Sequence, residues 1–262
     1  MLEIKDLSVT FGPRKVLDRV SFSLRPQRLT VLVGRNGAGK STLFGCVNQQ
    51  IPYGGAITWE SRDLAKLQPR QRAKTIAILP QSLPWPQITG REMVALGRNP
   101  YLDFTGKLRE ADREAVETAL EEAEAWDLTD RYVDTLSGGE KQRIALAMIL
   151  AQNTPVALLD EPTAHLDLGH EAAFLDRLLQ LKNTKKKTFL LILHDLNLAV
   201  RYADDLVVLD GGRVVFAGEK EICLERGVLE ATFGLKRYSM QDEAGKHIFF
   251  APKTGVDIAF DR

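Results

Sequence analysis

The apolar run "LTVLV" passes without a break into "GRNGAGKST", Gly34 to Thr42. Such a run reads as a buried strand, the glycines permit a tight loop, and Lys40 and Ser41 open a helix. Gly34, Gly39, Lys40 and Ser41 satisfy G-x-x-x-x-G-K-[ST] in the strand-loop-helix context that gives the pattern its meaning. Arg35, Asn36, Gly37, Ala38 and Thr42 complete the loop. Its glycines let backbone N–H groups curl around phosphates, and the helix N-terminus adds partial positive charge. Lys40 is expected to reach the β and γ oxygens of a nucleoside triphosphate, with the Ser41 hydroxyl on Mg²⁺.

A loop of this kind needs a sheet, and the chain supplies one. "LTVLV" to Gly34, "VALL" to Asp160, "FLLIL" to His194 and "LVVL" to Asp210 are short, nearly unbroken apolar runs separated by helical patterns. They predict strands of a parallel sheet buried on both faces, with ligands beyond the carboxyl ends. The first sixty residues alternate instead, in "LEIKDLSVTF", "VLDRVSFSL" and "GAITWE", as an antiparallel sheet does. Between about Gln81 and Gln152 strand signal gives way to helical patterns. In "READREAVETALEEAEAW", Val116, Leu120 and Ala123 mark one face and glutamates another, solvated one.

With 262 residues the chain can bury a large core. Its 35 Lys and Arg balance 35 Asp and Glu, so the overall field gives no case for nucleic acid or anionic lipid. The lysine triplet Lys185, Lys186 and Lys187 reads as a solvated loop. Cys46 and Cys223 fit neither a disulfide framework nor metal spacing and suit a reducing compartment, with Cys46 a small buried hydrophobe. The charged N-terminus argues against a secretory signal, and the longest apolar run, Ile144 to Ala151, is far too short for a bilayer.

Other strand ends complete the chemistry. Asp160 of "VALLDEP" is expected to hold Mg²⁺, and Glu161 beside it to act as general base on a water. Gln81, after "TIAILP", and His194 stand where a side chain reaches a γ-phosphate or its water. "LSGGEKQR" then raises a question, because Ser137 is a good N-cap and the N–H groups after it form a second anion site. One loop already wraps one face of a triphosphate, so this site can serve another molecule's nucleotide.

Together "GRNGAGKST", Gln81, "LSGGE", "VALLDEP", "AHLD" and His194 resemble the ATP-binding subunit of an ABC transporter over nearly the whole chain. The resemblance implies an α/β P-loop NTPase fold: a parallel-sheet core with an N-terminal antiparallel β subdomain and an inserted helical subdomain. It further implies a single ATPase domain over 1–262, with the helical subdomain at about 82–152 and a C-terminal extension at about 219–262. ATP and Mg²⁺ would be the cofactors. Two copies would pack head to tail, with Ser137, Gly138, Gly139 and Glu140 acting in trans and Asp167 at the dimer seam. Gln81 would sense Mg²⁺ and the attacking water, and His194 would contact the γ-phosphate. Phe11 matches the family's usual adenine-stacking tyrosine and can stack without a hydroxyl.

"ALGRNPYL" and "AHLDLGH" are similar to importer ATPases for iron-siderophores, haem and cobalamin. That likeness implies an integral membrane permease as partner, with Arg98 and Tyr101 at the docking surface. It also implies a substrate-binding protein acting indirectly and residence at the cytoplasmic face of the membrane. An iron-siderophore stands ahead of haem or cobalamin as cargo. Soluble ABC proteins of translation usually carry two such domains in one chain, and those of DNA repair a long coiled coil, and neither feature is present. A P-loop kinase or switch GTPase would have no use for "LSGGE" or "AHLD".

Overall fold

The computed structural model describes residues 1–164, 166–242 and 245–253. His165 of "AHLD" and positions 254–262 of the expected C-terminal extension lie outside them. Strands β1 (Leu2–Phe11), β2 (Arg14–Leu24) and β3 (Leu29–Gly34) lead into helix α1 (Lys40–Val47). After β4 (Gly54–Trp59), β5 (Arg62–Asp63), α2 (Pro69–Ala73) and β6 (Ile76–Leu79) the chain turns helical, in α3 (Gly90–Ala95), α4 (Glu110–Glu122) and α5 (Gly138–Ala151). Alternation returns with β7 (Val156–Asp160), α6 (Leu168–Lys185), β8 (Thr188–Ile192), α7 (Leu196–Tyr202) and β9 (Asp205–Asp210). Strand β10 (Arg213–Glu219), helices α8 (Lys220–Glu225) and α9 (Val228–Phe233), and the hairpin of β11 (Leu235–Asp242) with β12 (Gly245–Pro252) follow.

Six strands form the central sheet in the order β10-β9-β3-β8-β7-β6, parallel except for β10. Val31 pairs with Leu191 on one side and Leu206 on the other. Because both faces are covered, these strands read as continuous apolar runs, yet their residues divide strictly between two cores. Leu29, Val31, Ala157, Leu159, Phe189 and Leu191 face the helices. Leu32, Val156, Leu158, Leu190 and Ile192 face α1 and the antiparallel sheet, whose order is β2-β1-β4-β5. β3 lies between β8 and β9, so the chain changes direction across the sheet at that strand. Crevices beyond the carboxyl ends at such a switch point are where open sheets bind ligands.

Helix α5 packs on α3 and α4, with Val116, Leu120 and Ala123 buried between them as their spacing predicts. Thr89 starts α3 with a reciprocal capping box to Glu92. Three expectations need correction. β8 ends at Ile192, where the last ladder bond, from the Leu193 N–H to the Leu32 carbonyl, has lengthened to 3.4 Å, and His194 lies in the turn before α7. The lysine triplet is not simply solvated: Lys185 pairs with Glu122 at 2.5 Å, and half-buried Lys187 donates to the Thr154 carbonyl at 3.0 Å.

The third correction concerns Arg98, which is 8% exposed and cannot offer its charge to a partner. Its Nε donates to Asp112 at 2.9 Å, Nη1 donates to the Ala151 carbonyl at 2.7 Å, and the guanidinium stacks 3.8 Å from the Tyr101 ring centre. The Tyr101 hydroxyl in turn donates to the Gln152 carbonyl at 3.0 Å. Both residues tie the turn after α3 to α4 and the end of α5. Among the described residues no helix is long and apolar enough to cross a membrane.

Removing one partner of a buried ion pair strands the other, so Arg98→Ala should cost about 3–5 kcal/mol in urea unfolding. Arg98→Met with Asp112→Leu should recover most of that loss, and a double variant no better than the single one would contradict this account of the pair.

Candidate nucleotide site

The carboxyl ends of β3, β6, β7 and β8 bring the candidate residues together. The loop after β3 lies close against its neighbours, and glycine makes that approach possible. A Cβ on Gly34 would sit 2.4 Å from the Leu209 carbonyl oxygen, and one on Gly39 would sit 2.6 Å from the Leu17 side chain. Gly39 also has φ of 105°, which side chains resist. It starts α1 with no side-chain cap, so the first N–H groups of that helix remain open to an anion.

Lys40 is only 6% exposed and spans the loop from inside, donating to the carbonyls of Gly34 at 2.8 Å and Arg35 at 3.4 Å. Burial pushes its pKa down, while the charges of Glu161 and Asp160 push it back up. Asn36, Gly37, Ala38, Gly39, Lys40, Ser41 and Thr42 line an open cavity of about 480 Å³, shared with Phe11, Glu161 and His194. Phe11 ends β1 at 51% exposure, a free aromatic face at the cavity mouth. Arg14 and Val16 line the same cavity and were missed from the sequence. The only available signal was a cation three residues beyond Phe11 in the same turn.

Glu161 occupies a left-handed backbone position, φ 49°, and its N–H donates to the Ile192 carbonyl at 3.2 Å. That conformation is costly for a side-chain-bearing residue and turns the carboxylate away from the strand axis. Its Oε2 accepts from the Gln81 amide at 2.8 Å, and its Oε1 makes a short contact with His194 Nε2. Glu161 is thus held from two other strand ends. His194 keeps half its side chain exposed, whereas Glu161 keeps 14%.

Asp160 is different. It is 8% exposed, and its Oδ1 is buried without a hydrogen-bond partner among the described residues. Burial and the neighbouring Glu161 charge raise its pKa to about 6, against the opposing pull of His194 and Lys40. A buried oxygen left orphaned in this way suits a cation. The Ser41 hydroxyl, the Gln81 amide oxygen and the Asp160 carboxylate are hard oxygen donors of the type Mg²⁺ prefers. Among the described residues no group of three or more His, Cys, Asp and Glu could cage a metal. A cation here would need further oxygens, which phosphates supply.

The second glycine turn stands apart. Ser137 caps α5, accepting from the Glu140 N–H at 3.4 Å, and Glu140 accepts from the Ser137 N–H at 2.8 Å. The Ser137 N–H together with Arg131 holds the Glu140 carboxyl down at about 2. Helix geometry leaves the N–H groups of Gly138 and Gly139 open. None of Ser137, Gly138, Gly139 and Glu140 lines the cavity of the first loop. Gly138 instead borders an adjoining cleft of about 330 Å³ with Gln81, Trp85, Lys141, Asp160 and Glu161, the last of which lines both spaces. Asp167 starts α6 outside both cavities, its side chain 69% exposed.

Known proteins resemble this chain in sequence and fold. Residues 17–164 match the family model described as ABC transporter, more than half of the chain. A probable siderophore transport system ATP-binding protein of Bacillus subtilis is 38% identical over 92% of this chain and 88% of its own length. A hemin import ATP-binding protein of Nocardia farcinica is 40% identical over 85% and 77%. Among solved structures, a metal-chelate type ABC transporter in an inward-facing conformation superposes with a TM-score of 0.83 at 25% identity, covering 96% of each chain. With a family model matched over more than half of its length and relatives of this identity and coverage, the chain belongs to the ABC transporter family as an ATP-hydrolysing, ATP-binding subunit.

Proposed function

We propose that this subunit powers the import of a metal chelate, iron-siderophore ahead of haem or cobalamin, through a membrane permease at the cytoplasmic face of the membrane. The observation that carries the catalytic part is Glu161, gripped by Gln81 and His194 beside the phosphate loop. The names of the relatives support the cargo class. Two copies would sandwich ATP, each offering Ser137 to Glu140 and Asp167 to the other's nucleotide. No residue of the signature turn lines the phosphate-loop cavity of its own chain, which supports that reading. A substrate-binding protein would deliver the chelate to the permease.

In this reading the loop N–H groups and Lys40 bind the phosphates, Phe11 stacks on adenine, and Ser41, Gln81 and Asp160 hold Mg²⁺. Mg²⁺, when bound, neutralises charge on the phosphate oxygens. Glu161 polarises the attacking water and takes its proton, and His194 orients that water or the γ-phosphate. ATP binds the closed dimer better than the open one, which drives the permease between its two openings, and hydrolysis resets it.

Glu161→Gln should keep ATP binding but lose turnover by a factor of roughly 10²–10⁴, accumulating as an ATP-bound dimer in gel filtration. Near-normal turnover would remove Glu161 from the base role. Reconstitution with the co-purified permease and binding protein, using labelled iron chelate, haem and cobalamin, tests the cargo. Transport of a sugar, peptide or bare zinc ion with none of these three would refute it.

Asp160 gives a prediction with a sign. Its folded-state pKa, about 6, lies above the ordinary aspartate value of 3.8, so its charged form costs stability as pH rises through that range. The shift corresponds to about 3 kcal/mol. Asp160→Asn should therefore raise the Tm of the nucleotide-free protein at pH 8 by several degrees and leave it nearly unchanged at pH 4. The same variant should lose Mg²⁺-dependent ATPase. A lower Tm at pH 8 would show that the buried carboxylate is satisfied without a cation.

A further inference from the structure

The first turn of α6 contains a contact that helix capping does not need. Asp167 is the N-cap, and its Oδ1 accepts from the His170 N–H at 3.0 Å. One such bond is what a cap requires. Here the second oxygen is held as well, with Oδ2 2.7 Å from Nδ1 of the same His170. Those bonds to His170 keep the Asp167 carboxyl below the usual aspartate value.

The far edge of the imidazole lies on the signature turn. A Cβ on Gly139 would sit 2.9 Å from His170 Cδ2 and 3.4 Å from Nε2, so the ring fills the space over that glycine. Gly139 and His170 line one narrow cleft of about 70 Å³ with Gln142, Leu166, Arg143 and Arg177. Stability does not explain this histidine. Its side chain is 66% exposed and buries little. What the ring does is join two segments, one on α5 and one before α6, each expected to face a second copy of the chain.

We propose that His170 is a positioning residue, a clamp that locks the Asp167 carboxylate and the signature turn into one rigid unit. A subunit then presents both groups to its partner's nucleotide in fixed register. The clamp rests on the composite-site reading, in which two copies share each ATP.

His170→Ala separates both contacts. His170→Asn keeps an amide N–H near the Nδ1 position but has no ring to lie over Gly139. His170→Ala should lower kcat about tenfold while nucleotide affinity of the separated monomer stays within twofold, and His170→Asn should restore part of that loss. In a Glu161→Gln background, His170→Ala should raise the ATP concentration for half-maximal dimerisation about tenfold. Losses from His170→Ala and Asp167→Ala should overlap, the double variant being no worse than the poorer single one. Turnover within twofold of the parent, or losses that multiply, would overturn the clamp. A Glu161→Gln dimer that forms equally well with and without His170 would overturn it alone. Absence of any ATP-dependent dimer in Glu161→Gln itself would overturn the composite-site reading and the clamp together.

Discussion

Asp160 and Glu161 place two adjacent carboxylates at the end of a strand buried along its whole length, and the site is organised around that electrostatic conflict. Like charges at the edge of a low-dielectric core repel and resist desolvation. The backbone relieves part of the conflict by turning Glu161 into a left-handed conformation, where Gln81 and His194 hold it. Lys40, buried in the loop from the next strand but one, adds a nearby positive charge. Asp160 keeps its orphaned oxygen. The paired charges thus strain this strand end, and a cation supplied there would relieve the strain.

The sheet makes this arrangement possible because it directs every functional end the same way. β3, β6, β7 and β8 run parallel, so a loop, an amide, a carboxylate pair and an imidazole from distant parts of the sequence converge. Two cores fix the strands from opposite faces, and a one-residue register slip would exchange Leu158 with Leu159 between them.

Continuous apolar runs made β3, β7 and β9 legible, and the phosphate loop was legible because its spacing is itself a geometric requirement. Gln81, Glu161 and His194 were legible because they follow such runs, and the structure brings Gln81 and His194 to Glu161 by hydrogen bonds. What could not be read was the fate of charged side chains brought into contact by tertiary packing. Arg98 looks like a surface cation in sequence, yet Asp112 and Ala151 close around it. Lys187 ends up against Thr154, and Arg14 enters the cavity because β1 and β2 turn beside the loop. His170 over Gly139 is of the same kind, since thirty residues and a strand separate the two.

Two glycine turns in one chain are understandable if they belong to different nucleotides. Mixed dimers test that directly. Lys40→Ala is placed on one copy and Ser137→Arg on the other, both in a Glu161→Gln background, and ATP retained by dimers isolated through two tags is counted. With the two lesions on separate copies, one composite site has both defects and the other is intact, so about half the parental ATP should be retained. With both lesions on one copy and none on the other, each composite site has one defect, and retention should fall to near zero. The opposite pattern, retention by the second pairing and loss in the first, would show that each chain holds its ATP with its own signature turn.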